Sequence, residues 1–201
     1  MPFSGRAVAI AAAVLAATLL TAAAGFLAID APVQPAPTAD IACPPAGTVF
    51  TMSMPLAISA DPVFRNRVAV IGTDGGDCHL RSEANGVYWQ HAGMVKGSDP
   101  AEVRVAAESL WPLKVGNTAR ADFQYGGQHW TMRFRVAGYE KFTARIGAYD
   151  AFKIIENVEV DGKFNAEGTR WWAPALSYTL SYRRDPDNYD FEVAAIDRHA
   201  P

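Results

Sequence analysis

The chain has 201 residues and a formal net charge of −3, with 18 lysines and arginines against 21 acidic residues. Because the basic residues form no run after the N-terminal segment, the composition argues against a nucleic-acid partner. Hydrophobic residues make up 50% of the chain, and the length left after an N-terminal export segment suits one domain with a sizeable core.

The N-terminal segment has the layout of a signal peptide. Arg6 is the only charge before an uncharged, alanine-rich run from Ala7 to Ile29. Ala22-Ala23-Ala24 places small residues at a cleavage site, so we predict a signal peptide over residues 1–24. The alternative is an uncleaved N-terminal anchor, since the run is long enough to span a bilayer. In both cases the remainder is predicted to be exported, as a periplasmic or cell-envelope protein that is anchored to the inner membrane in the second case.

The next segment, residues 25–47, is predicted to be an extended, poorly packed leader because prolines recur there among small residues. Cys43 and Cys78 both lie in the exported part, where thiols become oxidised, so we predict a disulfide between them. Two free buried thiols are the alternative. Neither cysteine has the neighbours that a closed metal shell requires, and we expect no metal and no cofactor.

Residues 48–198 are predicted to form a single β-domain, because apolar and polar residues alternate in runs that turn residues separate. The segment Pro100–Leu110 fits a short helix capped by Asp99, or a strand because of Val103 and Val105. Short strands are predicted on the N-terminal side of that segment at Val49–Ser53, Arg67–Ile71, Cys78–Arg81 and Val87–Trp89.

The C-terminal half contains the clearest hairpin, from Thr118 to Val136 about a Gly126-Gly127 turn. Trp130 falls on its apolar face, and Arg133 and Arg135 fall on its polar face. Further strands are predicted at 141–146, 152–160, 163–173, 178–183 and 189–193. Consecutive hairpins of this kind predict a mainly β fold: a curved antiparallel sheet that forms a half-barrel or open barrel, with at most one short helix.

The candidate surface for a ligand or partner consists of Trp171, Trp172, Arg133 and Arg135. Neighbouring residues of a strand point to opposite faces, so one tryptophan of the pair is expected outside the core, where it can stack on a sugar or contact lipid or protein. The alternative is that a neighbouring loop covers this tryptophan. The two arginines, with Arg145, are expected on a common outer surface that suits phosphate or carboxylate. The alternative is a solvated strand face whose charge nearby acids balance.

Three segments resemble a group of uncharacterised bacterial exported β-domains: Leu110–Gly116, Gly147–Ile154 and Arg170–Pro174. Those proteins show "PLKVG", then a glycine-led turn into an "FKI" strand, then a tryptophan or tyrosine pair before "AP". The similarity covers roughly residues 110–196. The resemblance implies a curved antiparallel sheet in the envelope, and it carries no established reaction and no residue role.

Three functional hypotheses follow. The first is a non-enzymatic envelope protein that binds a protein or an envelope polymer. The second is a periplasmic carrier that holds an apolar or lipid-like ligand in a half-barrel cavity lined by Phe123, Phe134, Phe152, Tyr178, Tyr182 and Phe191. The third is a hydrolase, although no Gly-x-Ser-x-Gly motif marks a nucleophile, so no catalytic residue is assigned. Membrane contact is expected only through an uncleaved N-terminal segment.

Overall fold

The computed structural model describes residues 37–55, 63–74, 76–91, 93–185 and 191–198. The predicted signal peptide at 1–24 and the first part of the leader lie outside these residues. Within the described ranges the elements follow one another as β1 (Thr48–Pro55), β2 (Val63–Asp74), β3 (Asp77–Ser82), β4 (Gly86–His91), β5 (Val95–Lys96), α1 (Ala101–Glu108), β6 (Thr118–Tyr125), β7 (Gln128–Ala144), β8 (Gly147–Val160), β9 (Lys163–Ala173), a 3-10 helix (Pro174–Leu176), β10 (Tyr178–Asp185) and β11 (Phe191–Arg198).

The strands form one antiparallel sheet in the order β5-β4-β3-β2-β1-β11-β10-β9-β8-β7-β6. One meander runs outward from β1 to β5, and a second runs back from β6 to β11, so β1 and β11 pair in the middle of the sheet. Strands β5 and β6 are the two edges, and the sheet is therefore open. This confirms the predicted fold: a mainly β, curved antiparallel sheet of consecutive hairpins with one short helix.

Two tight turns form where the sequence predicts them. At the β6–β7 turn, Gly126 and Gly127 have φ values of 61° and 79°, and at the β8–β9 turn Asp161 and Gly162 have φ values of 50° and 75°. Two successive left-handed residues define the type I′ turn, whose twist matches that of antiparallel strands. These turns fix the register of both hairpins.

Strand β7 is a single strand of 17 residues, where the sequence pattern predicts two. Val136 pairs with Ile154 and Gly138 pairs with Lys153, so Ala137 is an extra residue without a partner. Such a bulge bends a strand without ending its pairing. The prediction of a separate strand at 141–146 is therefore wrong, because the alternation resumes after one inserted residue.

The segment that fits either helix or strand forms the helix α1. The predicted cap is wrong, because the Asp99 carboxylate accepts a hydrogen bond from the Lys96 backbone N–H at 2.8 Å and the described start of α1 has no side-chain cap. Val105, which favours strand, is 65% exposed. The helix contacts β5, β6 and β7 and buries Val103, Ala106 and Ala107. No helix in the described ranges is long and apolar enough to cross a membrane.

The buried apolar side chains form two clusters. The helix cluster lies under α1 and includes Val103, Ala107, Leu110, Phe134, Val136, Phe152, Ile154 and Trp172. The terminal cluster lies around β1, β2, β3 and β10 and includes Phe50, Val68, Val70, Leu80, Trp171, Tyr178, Leu180 and Val193. Full burial of one such aliphatic or aromatic side chain stabilises the fold by about 1.5–3 kcal/mol.

The end of the leader packs against the sheet. Cys43 and Cys78 form a disulfide with their Cα atoms 5.5 Å apart, which confirms the predicted pairing. Ala39 and Leu113 form an isolated antiparallel bridge with N to O distances of 3.1 and 2.7 Å. Pro44 is buried. The described part of the leader is thus held more closely than its proline content suggests.

A buried ion pair crosses the central strands β8, β9 and β10. Arg170 donates from Nε and Nη2 to Oε1 of Glu156 at 3.0 and 2.9 Å, and the Tyr182 hydroxyl donates to Oε2 at 3.1 Å. Thr179 donates to the carbonyl oxygen of Gly93 at 3.0 Å and contacts Arg170 at 3.4 Å. Burial is the largest influence and lowers the pKa of Arg170, but the charge and hydrogen bond of Glu156, together with Tyr182 and Tyr178, outweigh it and the net pKa is raised. The pair and the Tyr182 hydroxyl thus link three neighbouring strands.

Candidate functional site

The tryptophan pair on β9 is buried on both sides. Trp172 is 1% exposed in the helix cluster, where the Trp111 ring meets it edge-on with ring centroids 4.8 Å apart. Trp171 is 8% exposed, and Phe142 stacks on it with a centroid distance of 4.7 Å. The two rings join different clusters, as strand alternation requires, yet both sides of the sheet are covered here. The expectation of an outward tryptophan at 171 or 172 is therefore wrong.

The cover of Trp171 consists of polar residues as well as Phe142. Its indole N–H donates to Glu140 Oε1 at 2.8 Å. The Lys153 ammonium and the Arg183 guanidinium lie 5.8 and 5.2 Å from the ring centroid, within range of cation–π attraction. Long side chains from neighbouring strands can cover an aromatic ring with their apolar stems, a form of burial that strand alternation does not reveal.

The predicted arginine surface is a network of opposite charges. Arg133 pairs with Glu159, and on the neighbouring strand Arg120 forms two hydrogen bonds with Asp122, at 2.7 and 2.8 Å. Thr131 donates to the same carboxylate at 2.6 Å. These hydrogen bonds, first from Arg120 and then from Thr131, hold the pKa of Asp122 well below its usual range. Glu159 thus compensates the charge of Arg133.

Arg135 and Arg145 do not share one site. Arg135 is exposed on the polar face of β7, opposite Thr118. Arg145 lies in the turn between β7 and β8, roughly 30 Å further along the strand at about 3.3 Å per residue. Its backbone N–H donates to Glu192 at 2.6 Å. The expected common surface of three arginines is therefore not formed.

Aromatic side chains cluster instead at the adjacent ends of the β6–β7 and β8–β9 hairpins, in a patch that we call the aromatic tip. Phe123, Tyr125 and Trp130 are close to one another on the first hairpin, and Phe164 of the second hairpin lines the same groove as Trp130. Tyr125 is 67% exposed and Phe164 is 66% exposed. The Trp130 ring lies 6.2 Å from Tyr125 and 6.3 Å from Phe123 between centroids. Its indole N–H donates to the Tyr125 carbonyl oxygen at 3.2 Å, which fixes the orientation of the ring.

An open groove of about 370 Å³ lies beside the aromatic tip. Trp130 and Phe164 contribute its aromatic walls, Val160 an aliphatic side chain, and four polar residues line the remainder: Gln128, Asp161, Lys163 and Asn165. His129 and Asp161 bind each other across the two hairpins, at 3.0 Å through the Asp161 carboxylate and 2.8 Å through the Asp161 backbone N–H. These bonds tie the two tight turns together beside the groove.

The aromatic tip is exposed because α1 is short. A helix of eight residues spans about 12 Å, whereas the 17 residues of β7 span about 56 Å. The apolar face of the β6–β7 hairpin therefore extends beyond its cover. The sequence carries this signal, since Phe123, Tyr125 and Trp130 continue the apolar pattern up to the glycine turn, but the missing cover becomes visible only when the helix ends are known.

The aromatic residues assigned to a carrier cavity are largely core residues. Phe134 and Phe152 are buried in the helix cluster, and Tyr178 stacks on Phe50 with centroids 4.0 Å apart. None of the six assigned residues lines the groove at the aromatic tip, or a second depression of about 170 Å³ between the leader and the 3-10 helix. Their contacts are those of packed side chains.

A histidine–carboxylate pair lies beside the disulfide. His91 Nδ1 is 2.6 Å from Asp77 Oδ1, and the two residues are cross-strand partners on β4 and β3. The His91 ring and Ile41 both pack closely over Gly76, where an added Cβ would lie 2.8 Å from Ile41. His91 thus lies in the region where Ile41 of the leader packs against the sheet. No group of three potential metal ligands occurs among the residues that the structure describes.

No protein-family model matches the chain, and no curated protein matches it. Three solved structures are similar at low identity. The hypothetical lipoprotein YmcC from Escherichia coli has a TM-score of 0.44 and 14% identity, over 78% of this chain and 86% of that one. A candidate lipoprotein from Parabacteroides distasonis has a TM-score of 0.43 and 10% identity, over 81% and 100%. A candidate exported protein with a YmcC-like fold from Bacteroides fragilis has a TM-score of 0.42 and 11% identity, over 80% of this chain and 100% of that one. These similarities are too low to assign the chain to a family.

Proposed function

We propose that the protein is exported and that its β-domain binds an envelope polymer, without catalysing a reaction, at the groove beside the aromatic tip. Two features support export. The first is the alanine-rich N-terminal run behind Arg6. The second is the Cys43–Cys78 disulfide, since such bonds persist in oxidising compartments and are rare in a reducing cytoplasm.

The observation that carries the binding proposal is the exposure of large aromatic rings next to a polar groove. An exposed aromatic patch on a monomer marks an interaction site more often than a scattered apolar residue does. Tyr125 and Phe164 are each about two-thirds exposed, at 67% and 66%, while the Trp130 ring is held by its hydrogen bond to the Tyr125 carbonyl oxygen. The rings are therefore available and oriented before a ligand arrives.

The chemistry of the groove favours a hydroxyl-rich chain. Aromatic faces stack on the apolar C–H faces of sugar-like rings, and amide, ammonium and carboxylate groups bond to hydroxyls. Gln128, Lys163 and Asn165 offer such groups beside Trp130 and Phe164. Because the groove is open rather than enclosed, a polymer can pass across it without presenting a free end. A protein ligand is the competing outcome.

The test is sedimentation of the purified, oxidised protein with envelope fractions of its host, before and after protease treatment. Phe164→Ser removes a ring that is 66% exposed and should leave the fold intact, and Trp130→Ala removes the central ring. Val87→Ser is the matched control, because Val87 is 62% exposed on β4, away from the tip. We expect both tip variants to bind about tenfold more weakly or worse, with the control unchanged.

The outcomes separate the alternatives. Binding that survives protease treatment and is lost in the tip variants supports a polymer at this groove. Binding that protease abolishes, but that still depends on Trp130, replaces the polymer by a protein. Binding that is equal in all variants contradicts the assignment of the site.

A further inference from the structure

Strand β6 is the long free edge of the sheet. Among the residues that the structure describes, it pairs only with β7, without a register shift, whereas the opposite edge strand β5 has two residues. Val136 donates to the Asn117 carbonyl oxygen and accepts from Gly116, so odd-numbered residues of this segment bond to β7. The backbone groups of the even-numbered residues then point away from the sheet: Thr118, Arg120, Asp122 and Gln124.

This edge lacks two of the devices that usually prevent strand pairing, a proline and a bulge, and its charged residues Arg120 and Asp122 bond to each other within the chain. The strand is eight residues long. The side chains of its even-numbered residues are exposed, while Ala121 is buried toward the helix cluster. A strand with these properties is a template for another strand.

The charges of β6 complement a second copy in one antiparallel register. A twofold axis at Ala121 places Arg120 opposite Asp122 of the second copy, and Thr118 opposite Gln124 of the second copy. An axis at Arg120 or at Asp122 would instead place like charges directly opposite, which destabilises a strand pair. In the register with the axis at Ala121, even-numbered residues of one copy pair with even-numbered residues of the other. These are the residues whose backbone groups point away from β7, and they can form about eight backbone hydrogen bonds across the interface.

We propose that β6 pairs antiparallel with β6 of a second copy, so that two open sheets join into one across a twofold axis at Ala121. Strand β6 contributes Phe123 and Tyr125 to the aromatic tip, but no residue of β6 lines the groove itself. Because β6 runs in opposite directions in the two copies, the two aromatic tips lie at opposite ends of the joint. A dimer would therefore present two separate grooves to a long ligand.

Charge-swap variants test the proposal. In Arg120→Asp the two facing positions both carry aspartate, and in Asp122→Arg they both carry arginine, so each variant alone opposes like charges. We expect each to raise the dissociation constant of the dimer by roughly tenfold. An equimolar mixture of the two variants restores opposite charges at every facing position and should form a heterodimer. Asp150→Arg is the matched control, because the Asp150 side chain is 55% exposed and lies on β8, away from the β6 edge.

The readout is mass from analytical ultracentrifugation of the oxidised protein across a concentration series, with circular dichroism to verify folding. The β6 interface is established if the wild type is a dimer, each single variant is a monomer, and the mixture of the two variants is a dimer. A wild-type monomer overturns the proposal. A dimer that neither swap weakens, or two variants that stay monomeric when mixed, overturns it as well.

Discussion

The buried ion pair of Arg170 and Glu156 should behave unlike a surface pair. Their side chains are 8% and 7% exposed, and both Glu156 oxygens are occupied, one by Arg170 and one by Tyr182. Replacing Glu156 by leucine leaves a guanidinium buried without its counter-charge and a hydroxyl without its acceptor. Removal of one partner of a buried pair costs about 3–5 kcal/mol, a large share of the roughly 5–15 kcal/mol that stabilise a domain.

The cycle of Glu156→Leu, Arg170→Met and the double variant measures the coupling. We expect each single change to cost about 3–5 kcal/mol in urea unfolding, and the double variant to lie much closer to the wild type, because no unpaired charge remains. Asp150→Asn is the control, since the Lys141–Asp150 pair is 66% and 55% exposed and its loss should cost about 1 kcal/mol or less. Single variants that cost no more than this control would refute the reasoning, because they would mean that water reaches the pair.

Three further predictions concern the disulfide, alkaline pH and a close packing contact. Replacing Cys43 and Cys78 by alanine opens a loop with a sequence separation of 35 and should cost about 4 kcal/mol by chain entropy; equal unfolding midpoints with and without the bond would contradict this. Burial, and then the charge of Glu156, raise the pKa of Tyr182, so its contribution to stability is complete below the unfolded pKa near 10 and is lost as pH rises toward the folded pKa. The free energy of unfolding should therefore fall above about pH 10 by up to about 1.4 kcal/mol per pH unit for this group, and Tyr182→Phe should flatten that fall in alkaline urea titrations. Gly168→Ala places a Cβ 2.6 Å from the Tyr182 hydroxyl and should cost about 1–3 kcal/mol in thermal unfolding, whereas Gly138→Ala, with open space around it, should cost less.

Local patterns predict most of the fold. Alternation and turn dipeptides predict the strands. The turns at Gly126-Gly127 and Asp161-Gly162 are predictable because their residues have the positive φ values that such dipeptides favour. The bulge at Ala137 is not predictable in this way, because one inserted residue resembles the end of one strand and the start of another. The pairing of β1 with β11 links the two ends of the domain, and no local pattern encodes it.

The candidate site is less predictable than the fold. Alternation correctly separates Trp171 from Trp172, but the cover on each side comes from other strands and from α1, which are distant in sequence. The sequence gives no distance between Arg133 and Glu159, so it cannot show that the charge is compensated. Trp130 is assigned to an apolar face, and its half-exposed position follows only from where α1 ends.

Amide hydrogen exchange tests most directly whether the groove beside the aromatic tip binds an envelope polymer. Exchange is measured by mass spectrometry on the oxidised protein, alone and with the protease-treated envelope fraction that it sediments with. We expect the envelope fraction to slow amide exchange in the two hairpin turns, residues 125–130 and 161–165, with little change elsewhere. Protection centred on the strands around Trp171, or no protection in either turn despite binding, would contradict it.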